Sequence, residues 1–271
     1  MIIGVSHLTL SCANVDADSA KLREKGFELV FLEKDAPNNE GKKKFLNFYQ
    51  KGHSLALLTK DRGIPIELID HGSEPKEGPS NYEVHWTGNL DQWSLNHEED
   101  EKLARIWKDS GISKNSILGV WSHLKIPFWW EKDSDSSKMI IRSLLIRTDR
   151  FEESRDFWEK GLGFKMDTQS NSGKQGKWLR LKFYAPISSW STEMVLVDQK
   201  KEIAPVKLDN SGFSCLAFIT TQLEKDRDRL FEAGAKDSTC PFKIGINNKK
   251  LLVEVFQGPG NEFVELVEVG K

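Results

Sequence analysis

The sequence predicts an α+β protein assembled from tandem strand–helix–strand–strand–strand units, and two observations carry that prediction. Four charged amphipathic helices end on a glycine that leads into an extended stretch: KLREKGF (21–27), RIWKDSGI (105–112), FWEKGLGF (157–164) and RLFEAGA (229–235). A glycine just past a helix takes the left-handed conformation without a Cβ penalty; one such ending is generic, and four signal a repeat. Short apolar strands precede three of these helices, GVSHLTLSC (4–12), RSLLIRT (142–148) and FSCLAFIT (213–220), and further strand-like runs follow them.

In chain order, the first unit turns from its opening strand through Asn14–Ala17 into its helix, then continues with FELVFLEK, KKFLNFYQ and HSLALLT. The third unit turns at Asp149–Glu153 and continues with FKMDTQ, KWLRLKFY and EMVLVDQ; the fourth turns at Thr221–Leu223 and finishes with KKLLVEVFQ and EFVELVEV. Alternation and bounding turn residues mark each run as a strand. The closing segments SLALLTKDRGIPIELID (54–70) and EMVLVDQKKEIAPVKLD (193–209) align, which sets Lys207 opposite Glu67. The second unit, residues 78–138, is irregular: NYEVHWTGN is its first strand, EEDEKLARIWKDSGI its helix, and the later strands merge into ILGVWSHLKIPFWWEKD. Six of the nine tryptophans fall there, from Trp86 to Trp130, and they read as an aromatic pocket or as packing between domains. EKDSDSSK (131–138), small and polar, reads as a linker; the boundary divides the chain into 1–138 and 139–271.

Composition narrows the function classes. At 271 residues and 38% hydrophobic, the chain builds its core without disulfide or metal staples. A formal net charge of −2 argues against a nucleic-acid partner. No apolar run reaches the roughly 20 residues of a membrane span, and the N-terminus enters alternating residues with no basic leader. Three cysteines, Cys12, Cys215 and Cys240, are an odd, sparse set that suits a reducing compartment. The expectation is a cytoplasmic protein without membrane partners.

SHLTL in the first unit, IRTDRFEESRDFWEKGLGF in the third, FSCLAFITTQLEKDRDRLFEAGA in the fourth and the closing GPGNEFVELVE carry a family resemblance. Together they resemble the vicinal oxygen chelate superfamily of glyoxalase I, extradiol dioxygenases, methylmalonyl-CoA epimerase and the fosfomycin and bleomycin resistance proteins. The resemblance covers 1–72 and 140–269; between them, KIPFWWEK is similar to a motif of glyoxalase-like proteins with a degenerate second unit. It implies two glyoxalase-like domains, 1–138 with a degenerate Trp-rich second module and 139–271 with two modules. Its implied function is a small-molecule enzyme performing lyase, isomerase or dioxygenase chemistry on a substrate with neighbouring oxygens. A divalent Fe, Mn, Ni or Zn is the implied cofactor, and a homodimer is compatible. The alternative is a metal-free protein that binds or sequesters a small molecule.

In such a fold, paired units curl into a cup that holds the metal through a His or Gln on a first strand and a Glu on a late strand. His7 matches the first position and Glu265 the second. Each also has a plainer reading, a satisfied core or rim histidine and a Glu paired at the sheet edge. His7 is expected to share its face with Val5 and Thr9, and Glu265 with Phe263 and Val267. Glu67, with His71 four residues on, is a third metal candidate; a solvated or capping Glu is its other reading. The equivalent first-strand positions of units three and four hold Arg142 and Cys215. Arg142 reads either as a carboxylate-binding catalytic residue or as a partner of Glu265, and Cys215 as a small buried hydrophobe. All six histidines precede residue 124, so the last two units alone cannot form a two-histidine site. The run Lys42–Lys44 reads as a solvated face or helix start.

Overall fold

The computed structural model describes residues 1–60, 62–87, 101–113, 117–121, 126–131, 140–170, 176–186, 191–246 and 249–269. Unit one comprises β1 (Ile2–Ser11), α1 (Val15–Glu24), β2 (Glu28–Pro37), β3 (Gly52–Thr59) and β4 (Ile66–Asp70). Unit two has β5 (Glu83–Thr87), α2 (Glu101–Asp109), β6 (Ile117–Trp121) and β7 (Ile126–Glu131). Unit three has β8 (Ile140–Thr148), α3 (Phe151–Asp156), β9 (Lys165–Ser170), β10 (Trp178–Tyr184) and β11 (Ser191–Asp198). Unit four has β12 (Gly212–Thr220), α4 (Leu223–Glu232), β13 (Asp237–Ser238), β14 (Phe242–Ile246), β15 (Lys249–Gln257) and β16 (Phe263–Glu268). The four helix-ending glycines, Gly26, Gly111, Gly163 and Gly234, all have positive φ, from 73° to 105°. Asn14 caps α1 by accepting from the Ala17 N–H at 3.0 Å.

The units pair first with fourth and second with third. One sheet runs β13-β15-β16-β12-β1-β4-β3-β2, with β14 added on β15; the other runs β6-β7-β5-β8-β11-β10-β9. In each unit the last strand lies parallel to the first, as β4 to β1, β7 to β5, β11 to β8 and β16 to β12. First strands meet antiparallel at the sheet centres, β1 on β12 and β5 on β8. The expected boundary at 138/139 therefore falls between two units that share a sheet. The linker itself, from residue 132 on, lies outside the described residues.

Two expectations about unit one change. KKFLNFYQ is not a strand: Glu40–Phe45 forms a 3₁₀ turn capped by Asn39, and Phe45 and Leu46 pack against Leu208, Cys215 and Phe263. Phe45 and Leu46 are buried by this packing, while Phe48 stays exposed. The alignment of 54–70 with 193–209 is also displaced. Because β11 is parallel to β8 as β4 is to β1, β11 is the counterpart of β4. Lys207 lies outside the strands and donates to the Lys44 carbonyl at 2.6 Å.

The sheets pack back to back through one continuous core that joins Leu8, Leu68, Leu216 and Leu266 to Leu144, Ile146, Met194 and Leu196. Trp86 and Phe128 belong to it, and so does Trp158. The two outer faces differ. On the seven-stranded sheet, Ile106 and Trp107 of α2 cover Leu145, Val195, Val197, Trp129 and Trp178. The nine-stranded sheet curls until Ile246 on β14 packs with Phe31 on β2, enclosing a cavity. Trp86, Trp107 and Trp129 are thus packing residues, each buried, while Trp93 lies outside the described residues. Truncating Trp107 leaves a cavity under α2, so Trp107→Ala is expected to lose about 3–5 kcal/mol in urea unfolding. A loss below about 1 kcal/mol would show that α2 does not pack as described.

Candidate active site

The register of β1 against β12 builds the cavity floor. His7 lies opposite Ala217 and Thr9 opposite Cys215. Glu67 sits beside Thr9 across β1 and β4, and Glu265 beside Ala217 across β12 and β16. The two halves are therefore related by a local twofold that makes Cys215 the equivalent of His7 and Glu265 the equivalent of Glu67. His7 departs from the expected face only in its neighbour: the register slips between Val5 and His7, sending Val5 into the core. Ser6 lines the cavity instead.

Three charged side chains converge. His7 Nε2 is 3.2 Å from Glu67 Oε2 and 3.7 Å from Glu265 Oε1. All three are secluded, and the Nε2 approach is close without being aligned as a hydrogen bond. Ser6 Oγ lies 3.0 Å from His7 Nδ1, and the Thr9 hydroxyl donates to Glu67 Oε2 at 3.3 Å. The solvated reading of Glu67 fails, since the residue is 6% exposed. Arg142 does not join the group. It is exposed on β8, in the other sheet from Glu265, so neither the ion pair nor a shared pocket forms.

Burial acts on all three groups, and their neighbours decide the outcome. Desolvation opposes the His7 cation, but adjacent Glu67 overrides it and raises the imidazole pKa. Desolvation likewise opposes the Glu67 anion, and His7 overrides it, holding the carboxyl at about 2. Glu265, farther from His7 and repelled by Glu67, has its pKa raised, chiefly by burial. Burial beside Glu265 also raises the Cys215 thiol, which stays protonated and acts as the small buried residue expected.

Lys42, His53 and His71 complete the surroundings; the sequence does not mark Lys42 or His53 as site residues and notes His71 only as a neighbour of Glu67 on its strand face. Lys42, read as solvated, is 6% exposed and lines the cavity. His53 and His71 are buried 6.3 Å apart between ring centroids, with no hydrogen bond to any ring nitrogen. Burial, then the Lys42 charge, pushes His53 down to about 3 and His71 to about 4. The signal available was alternation: His53, Leu55 and Leu57 share a face, as do Glu67, Ile69 and His71. His97 and His123 lie outside the described residues.

The cavity above this floor measures about 210 Å³. Phe31, Leu55, Ile219, Phe242, Ile244 and Leu251 are among its apolar walls. A cleft of about 320 Å³ between the sheets holds Glu83 and Arg147, but these are already joined at 2.6 Å, and Trp129 Nε1 donates to Glu83 at 2.9 Å. Among the described residues, no three His, Cys, Asp or Glu side chains stand as a preformed metal-binding group, and no helix is long and apolar enough to cross a membrane.

The family comparison agrees with this architecture. Residues 140–266 match the profile of the Glyoxalase/Bleomycin resistance protein/Dioxygenase superfamily. That segment is similar to the superfamily, and the whole chain has the fold of the solved structures that follow. Glyoxalase I from Zea mays superposes with a TM-score of 0.61 at 14% identity, covering 97% of this chain and 92% of that one. A putative dioxygenase from Bacillus subtilis subsp. subtilis str. 168 gives 0.61 at 11% identity, covering 98% and 85%. Comparison with curated proteins gives no match.

Away from the cavity lies one further buried carboxyl, also unforeseen, with a different surrounding. Glu262, in the GPGNE turn, is fully buried, and a Cβ on Gly258 would come within 2.7 Å of its Cδ. Burial lifts its pKa from 4.5 to about 7. The folded chain then keeps a proton that the unfolded chain has lost, so between those values stability falls as pH rises, by up to about 1.4 kcal/mol per unit. Urea midpoints are expected to fall between pH values of about 5 and 7, and Glu262→Gln to flatten that fall. Equal slopes in both proteins would assign it to other groups.

Proposed function

We propose that the cavity of the nine-stranded sheet is the active site of a small-molecule enzyme of the vicinal oxygen chelate type. Its chemistry is of the lyase, isomerase or dioxygenase kind, on a substrate with neighbouring oxygens. The observation that carries this reading is the convergence of His7, Glu67 and Glu265 in a closed apolar cavity. Around one imidazole, burial and charge push two carboxyls in opposite directions, a separation that assigns acid and base roles.

The donor chemistry fits a divalent cation. A buried His7 Nε2 that lacks a hydrogen bond, with carboxylate oxygens at 3.2 and 3.7 Å, is a polar atom a cation would satisfy. One imidazole and two carboxylates suit Fe, Mn, Ni or Zn, and His7, Glu67 and Glu265 would hold the ion. When bound, it would polarise the substrate's neighbouring oxygens. The side chains have their own parts. Glu67 stays ionised and fixes the His7 ring. Without a bound ion, Glu265 holds its proton to higher pH than an ordinary carboxyl and would pass it to a substrate oxygen. The apolar walls exclude bulk water. Units one and four of one chain supply all three groups, so the site is complete without a second copy.

One observation favours the alternative, a metal-free binding protein: Lys42 already brings a positive charge to both carboxylates. Elemental mass spectrometry of protein purified without chelator separates the two readings. About one equivalent of metal, lost in His7→Ala and Glu265→Gln, is the expected result. No metal after reconstitution, with ligand binding retained, would establish the binding protein instead.

A further inference from the structure

The cavity floor presents two groups that neither the His7–Glu67–Glu265 cluster nor the packing uses. Lys42 is held inside by the 3₁₀ turn Glu40–Phe45. Its Nζ lies 5.4 Å from the Phe242 ring centroid, and among the described residues no hydrogen bond or ion pair engages it. His53 is 4% exposed, lines the same cavity and has both ring nitrogens unpartnered. Among the described residues, the Lys42 ammonium makes no direct ion pair, although its charge reaches Glu67 and Glu265, and the buried His53 imidazole has no hydrogen bond; each is open to a ligand in the mostly apolar space they face. The space is smaller than the ~300–1,000 Å³ of typical drug-sized pockets, so its occupant is small.

We infer that Lys42 and His53 form a head-group subsite for a small organic carboxylate, whose apolar chain or ring lies along Phe31, Phe242, Ile244 and Leu251. The inference rests on the reading of this cavity as the active site and adds the substrate class. Lys42 supplies the charge and His53 an N–H donor, since a neutral imidazole presents one donor and one acceptor. Phe242 serves twice, as a wall for the apolar body and as the ring against which the ammonium rests. Glu67 and Glu265 reject an anion placed directly on His7, which leaves the Lys42 side of the floor for the carboxylate and the His7 side for the reacting oxygen.

Calorimetric titration of the full chain with octanoate and 4-phenylbutyrate, against octanol and 4-phenylbutanol, tests this. The acids are expected to bind at least about tenfold more tightly than the alcohols, a difference of about 1.4 kcal/mol. Lys42→Met is expected to abolish that preference while leaving alcohol binding in place, and Lys42→Arg to restore it. His53→Phe, which keeps an apolar ring, is expected to weaken the acids selectively. Equal affinity for acids and alcohols, an unchanged preference in Lys42→Met, or no binding of either acid at millimolar concentration would overturn the subsite. Should Lys42→Met not fold, the wild-type acid-to-alcohol ratio and the His53→Phe variant decide. Failure of the enzyme reading looks different: acid preference persists, and metal and turnover are absent.

Discussion

The antiparallel pairing of β1 with β12 is the contact on which the rest of this molecule depends. It joins strands more than 200 residues apart and fixes which side chains face the cavity. A one-residue change of register would turn His7 into the core and Leu8 into the cavity. The parallel partners β4 and β16 then bring Glu67 and Glu265 to the same floor from opposite sides. The slip between Val5 and His7 belongs to this design. It lets Val5 and Leu8 both pack inward while Ser6 and His7 face outward, an arrangement strict alternation forbids.

The same construction is used twice with different results. Both sheets join two units through antiparallel first strands, yet one outer face encloses a cavity and the other is covered by α2. The difference follows from side-chain volume: Ile106, Trp107, Trp129 and Trp178 fill the second face with apolar surface. Histidines report the contrast. His85, buried against Trp107 at 5.0 Å between centroids, is pushed by burial to about 4. His7 is buried as deeply and moves the other way, because Glu67 stands 3.2 Å away. At an effective dielectric of ~20, unit charges at that range attract by about 5 kcal/mol, enough to offset a burial penalty of several kcal/mol. The covered face therefore keeps its histidine neutral, while the open one holds an ion pair.

Most of the architecture was legible because it is written in local signals. Glycine at four helix ends, apolar alternation and the closing GPGNEFVELVE run identify the units, and the first three strands fall where alternation puts them. His7 and Glu265 were legible as well, since each interrupts an apolar face. The failures have one physical origin, that tertiary burial overrides local polarity. Lys42 lies in a triple-lysine run and reads as solvated, and Glu67, a metal candidate beside a charged turn, has a solvated or capping Glu as its other reading; only the curl of the sheet encloses both. KKFLNFYQ has a strand's composition, but its Phe45 and Leu46 pack against Leu208, Cys215 and Phe263. Arg142 occupies a plausible position on a first strand, yet β8 belongs to the other sheet. Pairing of first unit with fourth, which separates Arg142 from Glu265, has no local signature at all.

Charge balance constrains what the cavity accepts. Its floor holds two carboxyls, one imidazole and one ammonium within a space walled by aliphatic and aromatic side chains. Glu67 and His7 offset one another, and burial shifts Glu265 toward its neutral form. Lys42 makes no direct hydrogen bond or ion pair through its ammonium among the described residues, although its charge acts on both carboxyls; a lysine ammonium is strongly hydrated, and its turn holds it beside apolar walls. A neutral occupant would strip what water remains from Lys42 and return nothing. A second cation near it would add repulsion to that loss. An occupant carrying one negative charge answers both costs at once, and one whose remaining atoms are apolar also replaces water along the walls. Burial first and the Lys42 charge second keep His53 neutral, and in the proposed subsite that same charge would set the sign of the occupant.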